Sequence, residues 1–296
     1  MGGPLNRMFS STARQAATLT AIAMLTGGCS SVVSSTTGRL ADSLADALVN
    51  QNDPETVRQG APAYLVLLDG LIADDPDNPD VLLAGAQLYS SYAGAFVEDP
   101  VRAKRLALKG RDYGWEGLCA LKRKTCGTWT EPYEVFESTI DSLGAKEVSA
   151  MFTTAGAWAT WIQVNKDDWS AIADKARVDA MIRRVVEIDP SYRRGAPFVY
   201  LGVLDTLLPE AMGGKPEEGR AHFERAIELS SGRNLMAKVL LAKQYARLTF
   251  DRELHDRLCE EVVEADPTEQ GLTLANTLAQ EEATRLLEGS EDYFGE

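Results

Sequence analysis

A chain of 296 residues, 45% hydrophobic and 25% charged, has enough apolar material for one large core or an elongated stack and an ordinary charge content that argues against disorder. Its formal net charge of −14 excludes a nucleic-acid partner as the natural expectation, since phosphates would be repelled, and is otherwise accounted for by solubility.

The N-terminus carries Arg7 and Arg14 and no acid, then an apolar run from Ala16 to Leu25, then Thr26-Gly27-Gly28 immediately before Cys29. That order predicts a signal peptide over residues 1–28. The apolar run is too short to span a bilayer as a mature helix. Small residues directly before a Cys resemble the lipobox of bacterial lipoproteins, with Thr26 standing where that pattern has Leu. The resemblance implies lipidation of Cys29 as the first residue of the mature chain, and Ser30 after it implies sorting to the outer membrane. Residues 29–38 then read as a flexible tether, rich in Ser and Thr. A plain secretory peptide followed by an ordinary Cys is the alternative.

The folded part, residues 39–296, reads as all-α. Leu40, Leu44 and Leu48 form one stripe of an opening helix that ends near Asn50. Asp53-Pro54 starts the next, with Asp53 placed to cap and Pro54 tolerated in the first turn. In it Tyr64, Leu68 and Leu71, followed by Pro76, show spacings of four, three and five. After Pro79 comes a helix rich in Ala, Gly and Ser, running to Phe96, whose small residues permit close approach of a neighbour. The four-three spacing recurs at Ala103, Ala107 and Gly110, at Phe136, Ile140 and Leu143, at Val178, Ile182 and Val185, at Gly219, Phe223 and Ala226, and at His255, Cys259 and Val262. Starts 33 to 42 residues apart scatter around the tetratricopeptide period of about 34. The fold class expected is therefore a superhelical solenoid of tetratricopeptide-like helical hairpins, closed at its end by the half-polar helix of Gly271 to Leu287.

Between repeats, the irregular insert Leu121 to Pro132 is the kind of long loop that often carries function. Cys119 and Cys126 flank its start and could pair in an oxidising compartment. Zinc is excluded there for want of two further soft ligands, and no metal site is expected elsewhere. Cys259 falls in an apolar slot and reads as a buried thiol. The Trp-rich segment of Met151 to Asp168 places Trp158 and Trp161 on one helix face, where they either fill the core or line a concave apolar site. Together with Tyr89, Tyr92 and Phe96 they make a candidate ligand groove, and Tyr200 lies on the same class of helix.

Catalytic chemistry finds no constellation. His222 and His255 both sit in or beside packing faces without a Ser or Cys set around them. Met212-Gly213-Gly214-Lys215-Pro216 lacks the Ser or Thr and the upstream Gly of a phosphate loop and reads as a glycine turn. The carboxylates of Asp74 to Asp80 lack the Gly and the distal Glu of a calcium loop. The expectation is no enzyme and no cofactor.

Several segments then carry a family likeness: Tyr89 to Pro100 with Arg102 to Leu106, Gly156-Ala157-Trp158, Leu201-Gly202, Leu208 to Gly214 with Phe223 to Ala226, and Ala275 to Ala279 before Leu286-Leu287. In that order and spacing they resemble the T component associated with TRAP transporters. The resemblance implies a periplasmic lipoprotein of tetratricopeptide-like hairpins that associates with the solute-binding component of the transporter, forms oligomers, and offers an apolar channel or groove to a small organic ligand. A scaffold lipoprotein of an envelope assembly, with the same fold and no small-molecule ligand, is the alternative function.

Overall fold

The computed structural model describes Ser43 and residues 46–295. The chain divides into two units, Met1–Ser43 and Leu44–Glu296, and the helices below all belong to the second. The signal peptide, the tether, Cys29 and the first two leucines of the opening stripe, Leu40 and Leu44, lie outside the described residues.

Helix starts follow a local rule that the sequence repeats. Asp53, Asn78 and Asp99 each precede a Pro, and each side chain accepts hydrogen bonds from backbone N–H groups of the following turn. The Pro contributes no N–H where one would be orphaned, and its fixed φ already suits the helix. Helices α1 (Pro54–Asp74), α2 (Pro79–Phe96) and α3 (Pro100–Leu121) begin in this way. Then come α4 (Tyr133–Asp141), α5 (Val148–Val164), the short α6 (Trp169–Ala173), α7 (Lys175–Ile188), α8 (Ala196–Thr206) and α9 (Pro216–Leu229). Helix α10 (Leu235–Leu240) runs on into a π-helical stretch, Leu241–Ala246, and α11 (Arg252–Glu264), α12 (Thr273–Glu288) and α13 (Ser290–Phe294) complete the order. Among the described residues all regular structure is helical.

Most helices pack on near neighbours in the chain: α2 on α1, α3 and α5; α4 on α7; α5 on α3 and α7; α7 on α8; α8 on α9; α9 on α10; and α10 and α11 on α12. Close approach rests on residues without bulk at the crossings. A methyl group on Gly110 would come 2.9 Å from the backbone N of Ser90, and one on Gly202 would come 2.7 Å from the ring of Phe223. Five of the six expected packing triplets, those beginning at 103, 136, 178, 219 and 255, are wholly buried. The sixth is displaced by one residue. In α1 the buried stripe is Val57, Ala61, Leu65, Leu68 and Ile72, while Tyr64 and Leu71 are half-buried. The run Leu65-Val66-Leu67-Leu68 is apolar all round, so two stripes at helical spacing share Leu68 and the periodicity cannot choose between them.

Apolar side chains gather in three clusters. The largest centres on Trp158, which is fully buried and meets Trp115 and Phe136 edge-to-face at ring separations of 5.3 and 6.1 Å. Its Nε1 donates to Asp174 Oδ2 at 3.1 Å, so the one polar atom of the ring is satisfied. A second cluster lies between Phe223 and Leu286. The third joins both ends of the unit. Leu274 and Leu278 of α12 pack on Val57, Ala61 and Leu65 of α1 and on Tyr89, Tyr92 and Phe96 of α2, and the backbone N of Gly271 donates to Asn50 Oδ1 at 2.7 Å. The last long helix thus returns to the first.

The insert after α3 is short-turned rather than open. Two 3₁₀ turns, Arg123–Thr125 and Thr128–Thr130, are pinned by Thr125 and Thr128 hydroxyls donating to Lys122 and Thr125 carbonyls, and by Lys122 pairing with Glu147 at 3.1 Å. Cys119 and Cys126 are bonded to each other. Cys259 is buried, and burial pushes its thiol up to about 12.

Two outcomes follow from this packing. Trp158→Ala leaves a cavity at the centre of the largest cluster and should lower stability by about 3–5 kcal/mol in urea titration, whereas a loss below about 1 kcal/mol would mean that the ring is not part of the core. In peptide mapping after alkylation at neutral pH without reductant, Cys119 and Cys126 should remain unlabelled and Cys259 should react only once the chain is unfolded. Labelling of either paired Cys in the unreduced protein would contradict the bond.

Candidate functional site

The five rings proposed from sequence as a groove fall in two places. Tyr89, Tyr92 and Phe96, at helical spacings of three and four on α2, are all buried in the α1–α2–α12 cluster. Tyr92 donates its hydroxyl to the carbonyl of Arg58 at 3.2 Å and stands 5.9 Å from the Phe96 ring. Trp158 and Trp161 belong to the other core. Trp161 is half-buried, with the guanidinium of Arg111 4.5 Å above its ring and the same guanidinium 5.2 Å from Trp129. The structure therefore brings three of the five together and sets the two Trp apart.

At the open edge of the Tyr89 group lies a polar centre that the sequence reading missed. Asp69 of α1 accepts from Tyr89 at 2.8 Å, from Tyr113 at 2.9 Å and from Lys109 Nζ at 2.6 Å, tying α1, α2 and α3 through one carboxylate. Burial works to raise the Asp69 pKa, but bonds from Lys109, Tyr89 and Tyr113 outweigh it and hold the carboxyl below its usual range. Burial and the adjacent carboxylate push Tyr113 up to about 12 and raise Tyr89 as well. Both phenols are thus fixed as donors at neutral pH. The available signal was a single acid inside an otherwise apolar run, Leu65 to Ile72.

A cavity of about 340 Å³ opens between α7 and the turn before α9, lined by Lys175, Asp179, Arg183, Asp205, Gly213 and Lys215. Asp205 is buried near the end of α8. Its carboxylate lies 3.0 Å from His222 Nδ1 and 3.8 Å from Arg183, and its backbone carbonyl accepts from the N–H of Lys215 at 2.8 Å. Arg183 also pairs with Asp179 at 2.7 Å, and that bond raises its pKa. Gly213 takes the left-handed conformation at φ 85°, and the N–H groups of Met212 and Gly214 both return to the carbonyl of Pro209, so this segment is a turn and not a phosphate loop. Charges here are largely paired, which suits recognition of a polar group better than proton transfer. His222 makes no hydrogen bond to a hydroxyl or thiol among the described residues.

His255 is buried with Nδ1 at 2.8 Å from Asp256 and its ring 5.0 Å from Phe294, a packing role at the C-terminal end. Among the described residues no group of three or more His, Cys, Asp or Glu is arranged to hold a metal ion.

A sequence model of the family described as TRAP transporter T-component matches residues 50–294. An uncharacterized protein of Treponema pallidum (strain Nichols) is similar at 25% identity over 288 residues, covering 87% of this chain and 87% of that protein.

The Asp69 centre makes a pH-dependent contribution to stability. A native pKa held below the unfolded value adds stability at neutral pH, and that stability fades as the pH falls from about 4 downward through the native value. Asp69→Ala should therefore cost about 1–2 kcal/mol at pH 7, allowing for the partial exposure of the site, with the gap from wild type narrowing at acid pH. A constant gap from pH 7 to pH 3 would show that the carboxylate's charge plays no part.

Proposed function

The chain belongs to the TRAP transporter T-component family, and on that premise we propose that it is the lipid-anchored partner of the solute-binding component of a tripartite ATP-independent periplasmic transporter, to which it passes a small organic ligand. The observation that carries this reading is the family match over residues 50–294, nearly the whole of the folded unit. A transporter accessory role and a periplasmic or envelope location are what the family suggests. Among the described residues no helix is long and apolar enough to cross a membrane, and the proposed anchor is instead a lipid on Cys29 after removal of residues 1–28, with residues 29–38 as tether.

In this reading residues 39–296 form tetratricopeptide-like hairpins, α2 with α3, α5 with α7, α8 with α9, and α10 with α11. The burial of the recurrent four-three triplet in the second helix of each pair supports it. A surface for a partner protein is what such stacks commonly provide. The chain has the oligomeric propensity the family resemblance implies, and outer-membrane sorting is read from Ser30.

A second reading, an envelope scaffold that handles no small molecule, is favoured by one observation. Tyr89, Tyr92, Phe96 and Trp158 are each less than a tenth exposed and fill cores rather than line open space.

Affinity purification of the full-length chain from detergent-solubilised envelope, followed by mass spectrometry, should recover a solute-binding protein. Recovery of envelope-assembly proteins without one would favour the scaffold. Fatty-acid labelling should mark the wild type and not Cys29→Ala, and equal labelling of both would remove the lipid anchor from the proposal.

A further inference from the structure

Helices α1, α2, α3 and α5 share one end, and side-chain contacts fix which end it is. Tyr92, late in α2, donates to the carbonyl of Arg58, early in α1, at 3.2 Å, and Arg58 reaches Glu98 just past α2 at 3.8 Å. Arg102, in the first turn of α3, lies 5.6 Å from the ring centre of Tyr92. A methyl group on Gly94 of α2 would come 3.2 Å from Thr160, near the close of α5. The start of α1, capped by Asp53, is therefore at this end as well, and the chain arriving from the N-terminus enters the helical unit here.

Two side chains at the same end are left almost wholly in water. Trp169 is 84% exposed and Val101 is 75% exposed, the highest values among the large apolar side chains of the described residues. They flank one ion pair. Lys104 Nζ lies 3.0 Å from Asp167 Oδ1; Val101 stands three residues before Lys104 on α3, and so beside it on the helix surface, while Trp169 follows Asp167 by two. A single exposed Val is ordinary, but a Trp in water next to it makes an apolar edge that the fold itself does not use. Exposed Arg102 and Lys166 stand beside it.

We propose that this end rests on the surface of a lipid bilayer, with Trp169 and Val101 in the boundary between headgroups and acyl chains and Arg102, Lys104 and Lys166 at the level of the phosphates. The inference rests on the lipid-anchor half of the proposed function and adds a second membrane contact to it. An indole, apolar in body with one donor at its edge, suits that boundary, and long cationic side chains keep their heads in the polar layer while their stems cover apolar surface. Two apolar side chains alone bind a bilayer weakly. The anchor removes that objection, because Cys29 and Asp46 are 46 − 29 = 17 residues apart, a span of at most about 60 Å. A unit held that close meets the bilayer intramolecularly, at high effective concentration, so a weak contact suffices. The contact turns the opposite end, where α1 closes at Asp74 and the disulfide-bonded insert follows α3, away from the membrane and towards partners.

Tryptophan fluorescence on vesicles tests it. Residues 29–296, the mature chain of that reading, are coupled through Cys29 to a maleimide-bearing phosphatidylethanolamine in vesicles of phosphatidylethanolamine and phosphatidylglycerol; Cys119 and Cys126 are bonded and Cys259 is buried, so Cys29 is the reactive thiol. The emission of Trp169 is the difference between wild type and Trp169→Phe. It should lie to the blue of its position in the uncoupled chain and be quenched by lipids brominated near the glycerol end of the acyl chains. Val101→Asp, an acid tolerated in the first turn of α3, should lower the docked fraction about tenfold, the factor that burial of one Val supplies. Val66→Asp, at a site on α1 that is 71% exposed, should dock as wild type. Absence of quenching in the coupled wild type, undiminished quenching in Val101→Asp, or equal loss in Val66→Asp would overturn the contact. So would a blue shift that grows with the concentration of uncoupled chain, which would make this end a contact between copies. Coupling imposes the anchor, so the result stands whether or not Cys29 is acylated in cells, and a failed contact leaves the fatty-acid labelling of Cys29 unaffected.

Discussion

Backbone-to-backbone contact at glycine crossings is the constraint from which the rest of this structure follows. Helices that cross with ordinary side chains between them stand about 8–10 Å apart, and a Gly at the crossing lets one backbone lie against its neighbour. At Gly110 the neighbour is the backbone of α2, and at Gly219 of α9 a methyl group would come 3.0 Å from the carbonyl oxygen of Gly202 on α8. Bringing α3 onto α2 at Gly110 also sets Lys109 beside it and Tyr113 about one turn on against Asp69 of α1. A wider crossing would separate those donors from their acceptor, so the polar centre depends on the glycine contact.

Much of this was legible because it is local. Asp or Asn before Pro announces three helix starts in a row, and five of the six recurrent triplets mark buried faces correctly, down to His255 in an apolar slot. What failed was decided by distance along the chain. Tyr89, Tyr92 and Phe96 were legible as large rings on a small-residue helix, but what buries them comes from α1 and from α12, nearly two hundred positions away at Leu274. The turn at Arg193 and Arg194, with φ of 44° and 55°, gave almost no signal, because nothing in Tyr-Arg-Arg-Gly encodes two left-handed residues except the Gly that follows them. Asp69 gave a weak one, a lone acid in an apolar run, whose meaning needed the donors on two other helices.

The functional readings turn on where aromatic surface is spent. Rings on the inner faces of α2 and α5 fill cores and so stabilise the stack, which suits a scaffold. At the α7–α8 turn Phe152 is likewise buried and meets Tyr192 and Tyr200 edge-to-face. The two groups draw on separate faces of α5: Trp158 faces α3 and Phe152 faces the turn.

The glycine account is tested most directly by the sign of one stability change. Helix propensity alone predicts that Gly110→Ala, in the interior of α3, stabilises the protein by about 1 kcal/mol. The close approach predicts the reverse, a loss of about 1–3 kcal/mol as α3 is forced off α2, while Gly70→Ala on the open face of α1, with no atom within 4 Å of the added methyl, should follow propensity and stabilise. Urea titration of the two variants beside wild type measures this, and a Gly110→Ala protein as stable as wild type or more so would contradict the account.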